Sequence, residues 1–198
     1  MSAAPKVGQL YTYADLLTWP QDEHWELIDG VPYLSGVPYG SPRAMASPNR
    51  KHQKISMNLC REFSLFLKNK TWEVYHAPFD VRLFANGQDN DDKTVVQPDL
   101  LVVCDHNKLS NDKNVIGAPN LIIEILSPSN TTHDTITKFQ KYRDAGVLEI
   151  WFVDPQTNKV QIFKLIDKKY SLDFYGNNDI VPVGILPGLE LDLRACIQ

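Results

Sequence analysis

Thr94-Val95-Val96-Gln97-Pro98-Asp99-Leu100-Leu101-Val102-Val103-Cys104 and Leu121-Ile122-Ile123-Glu124-Ile125-Leu126 are two nearly continuous apolar runs, each with one carboxylate set inside it. Such runs predict strands buried on both faces of a sheet. An ionised carboxylate there is costly unless something compensates it. Proline has no N–H to give a sheet ladder, so Pro98 marks an edge or an irregular point just before Asp99. Neighbouring strands lie about 4.8 Å apart, so Asp99 and Glu124 on adjacent strands can reach one cation. Oxygen ligands favour Mg2+ or Mn2+ over zinc.

Working outward, residues 127–130 turn the chain, and Asn130 or Thr131 caps a helix that runs to Ala145 and ends at Gly146. Val147 to Val153 is a further strand, and Asp154-Pro155 begins the turn after it. Val160 to Ile166 and Tyr170 to Tyr175 form a late hairpin, and Leu189 to Leu193 closes the fold. On the N-terminal side, Thr12 caps a short helix to Leu17, which Pro20 stops. His24 to Val31 is a hairpin around Asp29-Gly30. Residues 35–48 are a loop rich in proline and glycine. Ile55, Leu59, Phe63, Phe66 and Leu67 recur at helical spacing and predict a long helix from Asn49 to Lys68. Trp72 through Leu83 is extended, and Asn86 to Lys93 is a polar hairpin loop. The fold class is therefore α/β, an α+β mixed sheet with strands flanked by helices and additional C-terminal β-hairpin strands.

The 198 residues, 43% hydrophobic and 22% charged, suit one globular domain over 1–198. Within it we expect a loose tail at 1–10, the N-terminal helix and hairpin at 11–48, the core at 49–155 and β-additions at 156–198. No apolar run approaches the ~20 residues of a membrane helix, and no signal peptide is visible, which favours the cytoplasm. Cys60, Cys104 and Cys196 are too scattered for a zinc site and read as ordinary thiols. The net charge of −4 argues weakly against coating of nucleic acid by bulk charge. Locally the balance reverses: between Pro48 and Lys70 stand six basic residues and one acid, Glu62. A solvated helix face and a phosphate-binding face both explain that.

Pro98-Asp99, then Glu124-Ile125-Leu126, then Lys138 resembles the PD-(D/E)XK superfamily, and the restriction-endonuclease-like core with it. More closely the chain resembles the Uma-two family, over nearly its whole length. The fragments that carry this are Trp25-Glu26-Leu27-Ile28-Asp29-Gly30, His52, Gln97-Pro98-Asp99-Leu100, Gly117-Ala118-Pro119-Asn120-Leu121, residues 124–129, Asp134 with Lys138, and Tyr142 to Pro155. Each alone is weak; their order and spacing are specific.

The resemblance implies a metal-dependent endonuclease acting on DNA, or on RNA, with Mg2+ or Mn2+ held by Asp99, Glu124 and the Ile125 carbonyl. The superfamily pattern has lysine two residues after the glutamate, where this chain has Leu126. The family resemblance implies that Lys138, from the next helix, supplies the ammonium. Glu26 stands where related folds add an acid, and His52 where a phosphate contact or proton transfer would be useful. Each has a plainer account: an Asp134–Lys138 surface pair, a Glu26 salt bridge near the Asp-Gly turn, a structural histidine. Asp80, Gln140 and Tyr142 are secondary pocket candidates, against an Asp80–Arg82 pair and simple packing for Tyr142.

Other motifs carry less. Ser127, Ser129 and Asn130 belong to no nucleophile elbow or P-loop, and capping accounts for them better. Trp25, Trp72 and Trp151 fit a core better than base-stacking platforms. Two further functions compete with the nuclease: a non-catalytic nucleic-acid-binding module, motivated by Leu126 and the acidic net charge, and an oligomeric scaffold. A homodimer or higher homo-oligomer is compatible with all three.

Overall fold

A computed structural model describes residues 4–41, 49–87, 89–127 and 132–197, excepting the side chains of 132–134. In chain order its elements are α1 (Tyr13–Leu16), β1 (Trp25–Ile28), β2 (Val31–Leu34), β3 (Val37–Pro38), α2 (Arg50–Leu67), β4 (Glu73–His76), β5 (Asp80–Arg82), β6 (Val95–Val96) and β7 (Leu100–Val103). There follow β8 (Asn114–Ile116), β9 (Leu121–Ile125), α3 (Thr132–Ala145), β10 (Glu149–Asp154), β11 (Lys159–Ile166), β12 (Lys169–Gly176), β13 (Ile180–Pro182), β14 (Glu190–Asp192) and α4 (Leu193–Cys196).

The strands form two six-stranded sheets, ordered β3-β2-β1-β6-β5-β8 and β12-β11-β10-β9-β7-β4, with a β13–β14 ribbon. The mixed α/β fold is the one expected, with its strands divided between two sheets. The cause is local. The extended run from Trp72 breaks at Ala77-Pro78, so that β4 pairs with β7 while β5 pairs with β6 and β8. The run from Thr94 breaks again at Gln97-Pro98-Asp99, between β6 and β7. A proline cannot continue a ladder, and at each break the chain passes from one sheet to the other. The two breaks are joined where the Ala77 N–H donates to the Asp99 carbonyl at 3.1 Å.

In the second sheet β9 runs antiparallel to β7 and parallel to β10, with Leu100 opposite Ile123 and Phe152 opposite Glu124. Alternation along β9 sorts its side chains between two cores. Leu121, Ile123 and Ile125 pack with Ile55, Leu59, Phe63 and Leu67 of α2. Ile122 packs with Tyr142 of α3 and with Val81, Val96 and Val115 of the other sheet. Glu124 therefore shares the side of α3. Asn49 starts α2 by accepting the His52 N–H at 2.9 Å. Each buried apolar side chain of α2 contributes about 1.5–3 kcal/mol. Asp29 and Gly30 both have positive φ, 53° and 81°, as a two-residue turn between β1 and β2 requires. The expected cap at Asn130 or Thr131 lies outside the described residues.

Trp25 and Trp151 are buried in cores, and Asp154 accepts N–H groups of its own turn from Gln156 and Thr157, as expected. The three cysteines are free; burial pushes the Cys104 and Cys196 thiols up to about 11, which keeps them unreactive. Among the described residues no helix is long and apolar enough to cross a membrane.

Candidate active site

The crossover between the sheets opens into a cavity of about 400 Å³. Its wall includes Glu26, His52, Gln97, Asp99, Glu124, Ile125 and Lys138, so all five residues expected to carry catalysis reach one space. Four separate elements deliver them. Glu26 comes from β1, His52 from α2, Glu124 from β9 and Lys138 from α3, while Asp99 stands at the kink just before β7.

Asp99 is fixed from two sides. Its Oδ2 accepts the Ile125 N–H at 2.7 Å, and its Oδ1 lies 3.3 Å from His52 Nε2. Burial alone would lower the His52 pKa, but the Asp99 hydrogen bond and charge outweigh it and hold the pKa above its ordinary value. The ring also meets the Ile125 carbonyl, whereas Nδ1 is buried with no partner among the described residues.

Lys138 stands between two carboxylates, with Nζ 3.0 Å from Glu26 Oε1 and 3.1 Å from Glu124 Oε1. All three side chains are largely buried, at 13%, 6% and 12% exposure. Tyr142 lies one helical turn after Lys138 and donates its hydroxyl to the same Glu124 oxygen. Burial pushes the Glu124 carboxyl up to about 7 against the pull of the Lys138 ammonium, and the charges of Asp99 and Glu26 push the same way. Burial would lower the Lys138 pKa, but Glu124 and Glu26 raise it above its usual value. Both shifts have one origin. A buried cluster with more carboxylates than cations binds protons tightly, the first on Lys138 and the next on Glu124.

That excess of acid bears on metal binding. Glu26, Asp80, Asp99 and Glu124 face one ammonium and one imidazole across this region. The donors are hard oxygens, which suits Mg2+ or Mn2+. Among the described residues no three or more His, Cys, Asp or Glu side chains are grouped to hold a metal ion. Mg2+ ordinarily takes one or two carboxylates and completes its shell with waters and substrate phosphate, so Asp99, Glu124 and the Ile125 carbonyl remain a fitting share.

The sequence matches the Uma2 family, described as "Putative restriction endonuclease", over residues 13–194. The chain belongs to the Uma2 family. It is 25% identical over 167 residues to the uncharacterized protein slr1290 of Synechocystis sp., covering 83% of this chain and 73% of that one. Its fold is similar to a crystal structure described as "a putative nuclease belonging to DUF820" from Anabaena variabilis ATCC 29413, with a TM-score of 0.70. That likeness spans 94% of this chain and 97% of the other at 17% identity, and so concerns the fold.

Several contacts differ from those the sequence led us to expect. Leu126 packs on the α3-side core and leaves the ammonium to Lys138. Glu26 does make a salt bridge, but with Lys138 inside the cavity; Asp29 at the turn pairs instead with Lys141 at 2.7 Å. The Asp134 side chain, the surface partner proposed for Lys138, lies outside the described residues. Gln140 is exposed and away from the cavity, because two residues along a helix turn a side chain to the opposite face. Asp80 sits behind the wall, where Gln97 Nε2 donates to it at 2.8 Å, and burial raises its pKa. The expected Asp80–Arg82 pair is absent: Arg82 Nε donates to Asp92 at 2.6 Å, within the 86–93 loop.

Sequence reasoning passed over Gln97. Its backbone N–H donates to Glu26 Oε1 at 2.8 Å while its side chain holds Asp80, so it ties three candidate elements together. Its place beside Pro98-Asp99 was the available signal. His24, Ser56, Cys60, His76 and Ser127 also line the cavity, which no spacing in the sequence indicates.

Proposed function

We infer that this protein is a divalent-metal-dependent nuclease that hydrolyses phosphodiester bonds of DNA, with RNA as the second substrate class. The observation that supports this is the meeting of Asp99, Glu124 and Lys138 in one cavity with Glu26 and His52. Asp99, Glu124 and the Ile125 carbonyl would hold Mg2+ or Mn2+. When bound, the ion supplies Lewis-acid polarisation of the scissile phosphate and lowers the pKa of water.

The remaining chemistry belongs to the chain. Lys138 offers a fixed positive charge to the attacking water or to the charge that builds on phosphate, and Glu26 holds it in position. Tyr142 fixes the orientation of Glu124 through Oε1. The His52 imidazole, with its pKa raised, is placed to donate a proton or to contact phosphate.

The test is cleavage of varied DNA and RNA with Mg2+ or Mn2+, comparing wild type with Glu124→Ala. Metal-dependent cleavage that disappears in the variant is expected. An inert wild type across these substrates and both ions would end the nuclease assignment. Nucleic-acid binding that survives Glu124→Ala in such an inert protein would favour the non-catalytic module, which Leu126 and the net charge of −4 first suggested.

A further inference from the structure

The outer face of α2 carries a row of side chains at helical spacing: Arg50, Lys54, Met57, Arg61, Leu65 and Lys68. They lie opposite the buried Ile55, Leu59 and Phe63, and all six are exposed. The helix is about 27 Å long, so the row repeats about every 6 Å along it. Four members are cations. The only acid of the helix, Glu62, lies to the side and pairs with Arg61 at 2.8 Å. This charge is segregated, since residues 49–70 hold six of the chain's 20 basic residues and one of its 24 acids.

Two features distinguish the row from an ordinary solvated face. Met57 and Leu65, 70% and 63% exposed, stand between these cations. Met57 is also part of the cavity wall, so the row passes the candidate active site at its third member. Cations alone would suit a duplex, whose bases are stacked away. Cations interleaved with exposed apolar side chains suit a strand that offers phosphates and unstacked bases together.

We propose that the outer face of α2 is the binding track for single-stranded nucleic acid and leads it into the cavity. The proposal rests on the nuclease assignment for its meaning, but its test does not. Binding is measured in EDTA, where no metal-dependent cleavage occurs, so an inactive enzyme leaves the result intact.

The probe is a fluorescein-labelled 20-nucleotide DNA strand of mixed sequence, followed by anisotropy from 50 to 200 mM KCl, beside the corresponding duplex. The triple variant Lys54→Ser, Arg61→Ser, Lys68→Ser should bind on the order of 10- to 100-fold more weakly, with a salt slope shallower by about 2. A control triple that removes equal charge elsewhere, Lys93→Ser, Lys113→Ser, Lys169→Ser, should bind nearly as wild type. Met57→Ser with Leu65→Ser should weaken binding while leaving the salt slope unchanged. The replaced residues are exposed, and thermal unfolding verifies that each variant is folded. No binding by wild type, an unchanged α2 triple, or an equal loss in the control overturns the track. A duplex bound as tightly as the strand overturns its assignment to single strands.

Discussion

Lys138→Met is the perturbation that most directly probes the cluster. Methionine keeps the length of the stem and removes the charge. Glu26 and Glu124 would then face one another with side chains only 6% and 12% exposed and no ammonium between them. Breaking a buried pair from one side costs about 3–5 kcal/mol, because the stranded charge stays buried. Against a typical total of about 5–15 kcal/mol, that is a large loss in a protein that still folds. The loss should also depend on pH. In the folded protein Glu124 titrates near 7, above its ordinary 4.5, so the folded state holds the proton more tightly. Its ionisation therefore lowers stability as the pH rises through that interval. Removing Lys138 removes an attraction that had favoured the ionised form, which moves the window upward. Urea unfolding should reveal a larger loss at pH 8 than at pH 5, where Glu124 is a neutral acid with and without Lys138. Adding Glu124→Gln to the variant should restore part of the stability at pH 8. A loss below about 1 kcal/mol at pH 8 would mean that Lys138 is an ordinary surface lysine. A loss that grows on acidification would refute the charge argument.

Three further outcomes follow from the same geometry. Tyr142→Phe removes the donor to Glu124 and should cost about 1.5–3 kcal/mol by urea unfolding at pH 8, and less at pH 5; equal costs at the two pH values would count against an ionised acceptor. Glu149→Gln should cost about 1–3 kcal/mol, since the carboxylate accepts from both Trp151 Nε1 and the Ile185 N–H and an amide must turn a donor toward one of them; an unchanged urea midpoint would contradict this. Lys138→Met should lower cleavage by about 10²- to 10³-fold, and adding Leu126→Lys, on the same side of β9, should regain part of it. If the double variant cleaves no better, the ammonium has to approach from α3.

The long apolar runs, the helical spacing of 55–67 and the Asp-Gly turn already specified the strands, α2 and the first hairpin, because these depend on side chains a few residues apart. Asp99 and Glu124 stood out for a similar reason, since a carboxylate inside an apolar run is anomalous wherever the run packs. The division into two sheets was not legible. Pro98 announced irregularity, whereas Trp72 through Leu83 was read as one extended run across Pro78; the side on which each half-strand then pairs depends on partners far away in sequence, such as Asn114 to Ile116 for β5.

The amino-acid order by itself therefore determined which residues had to be compensated and where the long strands and helices lie, though not short strands such as Asn114–Ile116. The folded chain decided what compensates them. Lys138 lies 112 residues from Glu26, and Gln97 lies 71 from it, so neither contact has a local signature. Those groups meet at the cavity between the two sheets, where burial makes an unpaired charge expensive.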